Sequence, residues 1–359
     1  MSEKMLMKGN EALAEAAVRA GCRCYFGYPI TPQSEIAAYM SKRLPKIKDG
    51  VYLQAESEIA AINMVLGAAA CGARAMTSSS SPGISLKSEG ISYMAGCDLP
   101  CVVVNVQRAG PGLGGIQPAQ ADYWQATKGY GHGGARVIVL APSSIQEMID
   151  MVYDAFELAD KYRMPAVILS DGLLGQMMEP VYFPDREPAV FQKDWAVNGH
   201  SDKRGRNIIS SLYLEAVELE QKNRDRLLRY QAIMDKETRV ECHYMEDAAI
   251  GIVAYGACAR IAEAAVESAR EKGIRAGLIR PVTLWPFPAA KITLYSKKVK
   301  KLLVVEMSDG QMIEDVRLAA ERYAPVEFYG RTGGVIPTPS EILEEIKKHT
   351  GGNTDVCDI

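Results

Sequence analysis

No two cysteines in this 359-residue chain stand at the two-residue spacing of redox and zinc motifs. None of the eight belongs to the closely spaced runs that hold iron–sulfur clusters. The closest pair, Cys22 and Cys24, has a single residue between its members. The chain also lacks the G-x-x-x-x-G-K-[ST] loop of a P-loop nucleotidase. It has no apolar run of the roughly 18 residues that a membrane span takes. Its first residues, Met-Ser-Glu-Lys-Met, carry no apolar signal-peptide core. A net charge of -3 gives no electrostatic pull towards nucleic acid or an anionic membrane. These absences point to a cytoplasmic protein with reduced, mostly buried thiols and no metal ligands of its own.

What is present is an ordinary globular composition, 48% hydrophobic and 24% charged, at a length that suggests two domains. Short apolar strands alternate with helices. Strands are expected at Cys24 to Tyr28, Val51 to Leu53, Arg74 to Thr77, Cys101 to Val106, Val137 to Leu140 and Ala166 to Leu169. The pattern reads as α/β, a doubly wound parallel sheet with ligands at the carboxyl ends of its strands. From about Asp171 to Arg206 the periodicity fades, and Ser210 to Arg239 reads as a charged, solvated helix. A second α/β run begins at Ala249, with strands at Ile250 to Ala254, Ala276 to Ile279, Leu302 to Glu306 and Val326 to Tyr329. The expected division is residues 1–190, an irregular and charged helical connection over 191–245, and a second unit over 246–359.

The stretch Gln54 to Gly72 stands out. Ser57 is placed to cap a helix that Gly72 ends, and the interior is almost wholly apolar or small. A helix apolar on every face is expected to be buried. An acid in its first turn, Glu58, must then be neutralised, paired or used. From the helix alone, an interaction of Glu56 or Glu58 with the positive helix N-terminus accounts for the acids equally well.

Other loops admit more than one reading. Thr31 before Pro32 reads as a helix N-cap with proline at the first helical position. Ser78 to Ser81 suits either an anion cradle or a tight crossing of small residues. Gly110-Pro111-Gly112-Leu113-Gly114-Gly115 matches a dinucleotide fingerprint literally, but Pro118 interrupts the helix that should follow, which argues against a nicotinamide dehydrogenase.

Taken together, Gly27-Tyr28-Pro29-Ile30-Thr31-Pro32, Glu58 in Ala-Glu-Ser-Glu-Ile-Ala-Ala, Gln107-Arg108-Ala109-Gly110-Pro111 and the run from Gly277 to Pro288 resemble the alpha subunits of 2-oxoacid:ferredoxin oxidoreductases. The resemblance spans most of the chain outside about 200–240. It implies a pyrimidine-binding thiamine module over 1–190 and a transketolase C-terminal-like domain over 246–359. It implies CoA-dependent oxidative decarboxylation of a 2-oxoacid with thiamine diphosphate, electrons passing through iron–sulfur clusters to ferredoxin. Glu58 then takes the role of the acid hydrogen-bonded to the aminopyrimidine, a role suited to a low-dielectric pocket. Tyr28, Pro29 and Ile30 flank the cofactor, and Glu56 remains structural. Arg108 takes the role of the arginine that holds the substrate carboxylate, and Thr31 that of a hydroxyl donor to the substrate oxygen.

The Gly-Asp-Gly and distant Asn that hold Mg²⁺ and diphosphate in thiamine enzymes are absent. Ser170-Asp171-Gly172 and Ser308-Asp309-Gly310 are near misses. A beta subunit is therefore expected to supply the diphosphate and Mg²⁺ site. Iron–sulfur and small accessory subunits should carry the electrons. The isolated chain is expected to be inactive and to self-associate. The loop from Gly110 to Gln117 has no Lys or Arg after Arg108 until Lys128, whereas 2-oxoglutarate-specific members commonly carry hydroxyls and a lysine there. This favours a branched-chain substrate such as 2-oxoisovalerate, with 2-oxoglutarate as the alternative. A non-catalytic assembly protein on the same two domains is the reading of a different class.

Overall fold

The computed structural model describes residues 4–200 and 204–350. The first part of the chain forms strands β1 (Met5–Lys8), β2 (Cys24–Gly27), β3 (Val51–Gln54), β4 (Ala75–Ser79), β5 (Cys101–Gln107), β6 (Ile138–Leu140), β7 (Pro165–Asp171) and β8 (Met178–Val181). Between them lie α1 (Gly9–Arg19), α2 (Ser34–Arg43), α3 (Glu58–Ala70), α4 (Ser81–Gly96), α5 (Tyr123–Lys128), α6 (Ile145–Tyr162) and α7 (Gly172–Gln176). The long helix α8 (Ala216–Glu237) leads to β9 (Val240–His243), β10 (Ile250–Val253), β11 (Ala276–Pro281), β12 (Thr283–Trp285), β13 (Lys301–Glu306) and β14 (Val326–Gly330). The remaining helices are α9 (Gly256–Glu271), α10 (Ala289–Ser296), α11 (Met312–Ala320) and α12 (Pro339–Thr350).

The larger sheet has seven strands in the order β12-β6-β7-β5-β4-β2-β3. Its centre is β5, Cys-Val-Val-Val-Asn-Val-Gln, buried at every position and paired in parallel with β4 and β7. A run of β-branched residues without alternation is what a strand covered on both faces requires. Covering is supplied partly by α6, whose buried Ile145, Met148, Ile149 and Val152 recur at helical spacing. Ser144 caps that helix by accepting a hydrogen bond from the Glu147 amide at 3.1 Å. The second sheet runs β14-β13-β10-β11-β9 and is parallel except for β9.

Three features differ from the sequence reading. Strand β12 leaves the second run and pairs antiparallel with β6, so the larger sheet contains residues 283–285. Within the stretch read as aperiodic, β8 pairs antiparallel with β1 as a separate ribbon. Too short to show alternation, each of these strands is fixed by its tertiary partner. Helix α3 is not buried all round: Ile59 is half exposed, and Asn63 and Gly67 also face outward. It packs on β2, β4 and α4.

The two sheets meet across a polar seam. The Gln120 side chain donates to the Tyr255 carbonyl at 2.8 Å and accepts from the Met307 amide at 3.2 Å. Gln311 bridges the Ala121 carbonyl and the Trp124 amide. Helix α8 is mostly exposed and is held through Tyr230, which meets Trp285 edge-to-face.

Candidate functional site

The loops leaving β2, β3, β4 and β5 at their carboxyl ends bring the sequence motifs into one region, as an open parallel sheet dictates. Ser57 caps α3, accepting from the Ala60 amide at 3.2 Å, and places Glu58 as the first helical residue. Glu58 is 7% exposed, whereas Glu56 is exposed. No hydrogen bond from the described residues reaches the Glu58 carboxylate. Its surroundings are set by the first turn of α4. An ideal Cβ at Gly83 would lie 2.8 Å from Glu58 Oε1 and 2.1 Å from Ser79 Oγ, so only glycine lets the carboxylate, the serine and the helix approach this closely.

The serine run divides its work. The Ser78 hydroxyl sits between Tyr25 and Gln33, donating to Gln33 Oε1 at 2.5 Å. Ser81 donates to Asp122 Oδ2 at 2.6 Å and accepts from the Arg108 amide at 3.1 Å. Burial pushes the Asp122 carboxyl up, with hydrogen bonds from Ser81 and Asn105 opposing the shift. Thr77 Oγ1, Ser79 Oγ and Ser80 Oγ are buried without any hydrogen-bond partner. Such orphaned hydroxyls are uncommon in a finished core, and that of Ser79 lies beside Glu58 at Gly83.

Replacing Gly83 with alanine is expected to lower stability by about 1–3 kcal/mol through overpacking, despite alanine's better helix propensity. Urea denaturation measures it, and an unchanged or higher midpoint in Gly83→Ala would show that Glu58 and Ser79 have room to move away.

Arg108 is 8% exposed and grips two loops. Nη1 donates to the Thr31 carbonyl at 3.0 Å and Nη2 to the Leu113 carbonyl at 3.2 Å, while Nε is buried without a partner. Thr31 is therefore joined directly to Arg108, by its backbone. It is not a helix cap. Helix α2 begins at Ser34 with Gln33 in the cap position. The Pro32 carbonyl is taken by the side chains of Asn10 at 2.8 Å and Gln176 at 3.3 Å, which holds this turn outside the helix. Tyr28 and Pro29 are exposed and Ile30 half-buried in the same loop.

Arg108 lines one cavity, and Thr31, to which it is bonded, lines another. One of about 850 Å³ has Arg108, Ser81, Asp122, Trp124 and Asp309 in its walls. The other, about 600 Å³, has Thr31, Glu35, Ile116, Pro118, Met177 and Ile336. Glu58 lies in the wall of neither and connects to Arg108 through α4, where Gly83 meets the acid and Ser81 the arginine. The near-miss motifs have local duties. Asp171 Oδ1 caps α7 through the amides of Leu173 and Leu174, at 2.9 and 3.1 Å. Ser308 donates to Glu306, whose carboxylate accepts three amides at the start of α11.

Comparison with known proteins fits this geometry. Residues 15–225 match the family model described as pyruvate flavodoxin/ferredoxin oxidoreductase, thiamine diphosphate-binding. Residues 248–342 match that of the pyruvate:ferredoxin oxidoreductase core domain II. The chain belongs to the 2-oxoacid:ferredoxin oxidoreductases. It is 50% identical to the ketoisovalerate oxidoreductase subunit VorB of Methanothermobacter marburgensis, over 98% of this chain and 99% of that one. It is 38% identical to the 2-oxoglutarate synthase subunit KorA of Methanothermobacter thermautotrophicus, over 97% and 99%. A solved 2-oxoglutarate:ferredoxin oxidoreductase from Magnetococcus marinus, with 2-oxoglutarate, coenzyme A and succinyl-CoA bound, superposes with a TM-score of 0.88 at 28% identity. The alignment covers 97% of this chain, which spans 65% of the length of that solved chain.

Within this oxidoreductase frame, sequence reasoning missed Gly83, Asp122, Glu35 and a lysine on α4, Lys87. Gly83 and Lys87 lie four residues apart, on one face of a helix that follows the serine run, and that spacing was the available signal.

Proposed function

We propose that this chain is the thiamine-activating subunit of an oxidoreductase that decarboxylates a branched-chain 2-oxoacid with coenzyme A as acyl acceptor and ferredoxin as electron acceptor. Thiamine diphosphate, when bound, supplies the carbon nucleophile for the 2-oxo carbon and the electron sink as carbon dioxide leaves. The nearly buried Glu58, reached by no hydrogen bond among the described residues and beside the orphaned hydroxyl of Ser79, fits the polar edge of an aminopyrimidine. In this role Glu58 donates its proton to the pyrimidine ring nitrogen and accepts it back. Tyr28, Pro29 and Ile30 flank the ring. Arg108 turns its charge towards the substrate carboxylate, and Thr31 donates its hydroxyl to the substrate oxygen.

Several features support a shared cofactor site, with diphosphate and Mg²⁺ held by a beta subunit and iron–sulfur clusters on further chains. Asp171 is committed to capping α7. Val51 and Leu53 on the edge strand β3, Ile59 next to Glu58 on α3 and Leu86 on α4 are each 42–51% accessible. An open apolar patch of this kind suits a partner subunit.

The observation that carries the substrate assignment is the cavity beside Thr31. Ile116, Pro118, Met177 and Ile336 make it apolar, no lysine or arginine lines it, and its one acid is Glu35. Hydrogen bonds from Gln176 and Asn10 outweigh burial and hold the Glu35 carboxyl below its usual range, so it is anionic at neutral pH. A branched alkyl tail fits there, and the second carboxylate of 2-oxoglutarate would meet a like charge. In the reconstituted complex, kcat/KM for 2-oxoisovalerate is expected to exceed that for 2-oxoglutarate by at least about tenfold, roughly 1.4 kcal/mol. Competition kinetics favouring 2-oxoglutarate would overturn the assignment.

A further inference from the structure

Lys87 is fully buried, which lysines almost never are without a partner. Among the described residues it makes one hydrogen bond, a long one of 3.4 Å from Nζ to the Ser78 carbonyl, and no ion pair within 4.0 Å. Side chains of a helix lean back towards its N-terminus, so Lys87 lies over the turn that contains Gly83. That turn is where Glu58 Oε1 and Ser79 Oγ converge. The missing Cβ of Gly83 lets Glu58 Oε1 and the orphaned hydroxyl of Ser79 come right up to the turn over which Lys87 lies. Glu58 is the charged group acting on Lys87. Tyr25, across the sheet, reaches it only through Ser78, and burial keeps that phenol protonated.

We infer that Lys87 is a positioning residue for Glu58, an ammonium placed behind the acid that favours its carboxylate form once the proton has passed to the pyrimidine ring nitrogen. This rests on the proposed role of Glu58. No bond to carbon is made or broken in the step. One proton leaves the Glu58 carboxyl, the ring nitrogen gains it, and the new negative charge faces Lys87. In water such a pair would gain little, but with Lys87 fully buried and Glu58 nearly so the attraction is larger. Burial opposes the ammonium and pulls its pKa down to about 8, with Glu58 pulling the other way. A value of about 8 leaves the lysine charged at neutral pH.

Two readouts on Lys87→Met test this. The first uses the full chain without cofactor. Lys87 has a lower pKa folded, about 8, than unfolded, 10.5, so between these values the unfolded chain binds the extra proton. Stability contributed by this site must then rise as pH increases from 8 to 10.5. Lys87→Met is expected to fold, to melt no lower than wild type at pH 7, and to lose that rise. The second readout is the pH profile of hydrogen–deuterium exchange at C2 of thiamine diphosphate in the assembled complex. In Lys87→Met it is expected to shift to higher pH and to fall at least tenfold at pH 7, with Lys87→Arg recovering part of the loss. An unshifted profile in a folded Lys87→Met complex would overturn the proposal, as would an unchanged pH dependence of melting. Glu58→Gln run in parallel separates the two ideas: normal exchange there removes the role of Glu58 itself, whereas lost exchange there with a normal Lys87→Met profile removes only that of Lys87.

Discussion

Titrated alone with thiamine diphosphate and Mg²⁺, the purified chain is expected to bind no tighter than about 1 mM, roughly −4 kcal/mol, and to turn over no 2-oxoacid. The reason lies in how the cofactor's binding energy is distributed. Most of it belongs to the diphosphate and its metal, held by charge-assisted hydrogen bonds and oxygen ligands. This chain offers the opposite end, with a carboxylate at Glu58 and a hydroxyl at Ser79. Adding the beta subunit should restore affinity and turnover together, because the exposed Val51, Leu53, Ile59 and Leu86 then become an interface. Calorimetry that found micromolar binding together with turnover by the lone chain would show that the site is not shared.

Glu58→Gln is expected to reduce turnover of the assembled complex by about 10²–10⁴-fold, the range for loss of a positioned proton donor. Glutamine keeps the shape and still hydrogen-bonds to the ring edge, but it has no proton to pass. The loss should appear in kcat more than in KM for the 2-oxoacid, since Arg108 and Thr31 keep their mutual contact through the Thr31 carbonyl. No hydrogen bond among the described residues depends on the Glu58 carboxylate, so any loss of stability in Glu58→Gln should come from the buried Lys87 ammonium that it faces. Gel filtration showing intact assembly, with turnover within threefold of wild type, would remove Glu58 from the chemistry.

Much of the fold was legible in local sequence. The continuous apolar run of β5, the amphipathic spacing of α6, and Ser57 and Gly72 at the ends of α3 each carry their own signal, and the structure places these elements within a residue or two. What was not legible is what only tertiary contact decides. Strands β1, β8 and β12 have 4, 4 and 3 residues, too few for a period, and each exists because of the strand beside it. The turn at Thr31 read as a cap because Thr-Pro is a good helix start. The Pro32 carbonyl instead found Asn10 and Gln176, from segments 22 and 144 residues away. Likewise α3 reads as a core helix from composition alone, and composition does not distinguish a core from a surface awaiting a partner. At the site, motif spacing singled out Glu58, Thr31 and Arg108, which the structure brings to one end of the large sheet. It did not reveal that two of the three guanidinium nitrogens of Arg108 are engaged by backbone carbonyls, nor that Lys87 stands behind the acid.

The central claim is that Glu58 of this chain moves the proton that activates thiamine diphosphate held jointly with a partner subunit. Deuterium exchange at C2 of the bound cofactor, followed by quenched-flow NMR in complexes assembled with wild-type chain or with Glu58→Gln, isolates that event from substrate binding and electron transfer. Exchange slowed by two or more orders of magnitude in Glu58→Gln, with cofactor occupancy unchanged, is the predicted result. Exchange at the wild-type rate would contradict it.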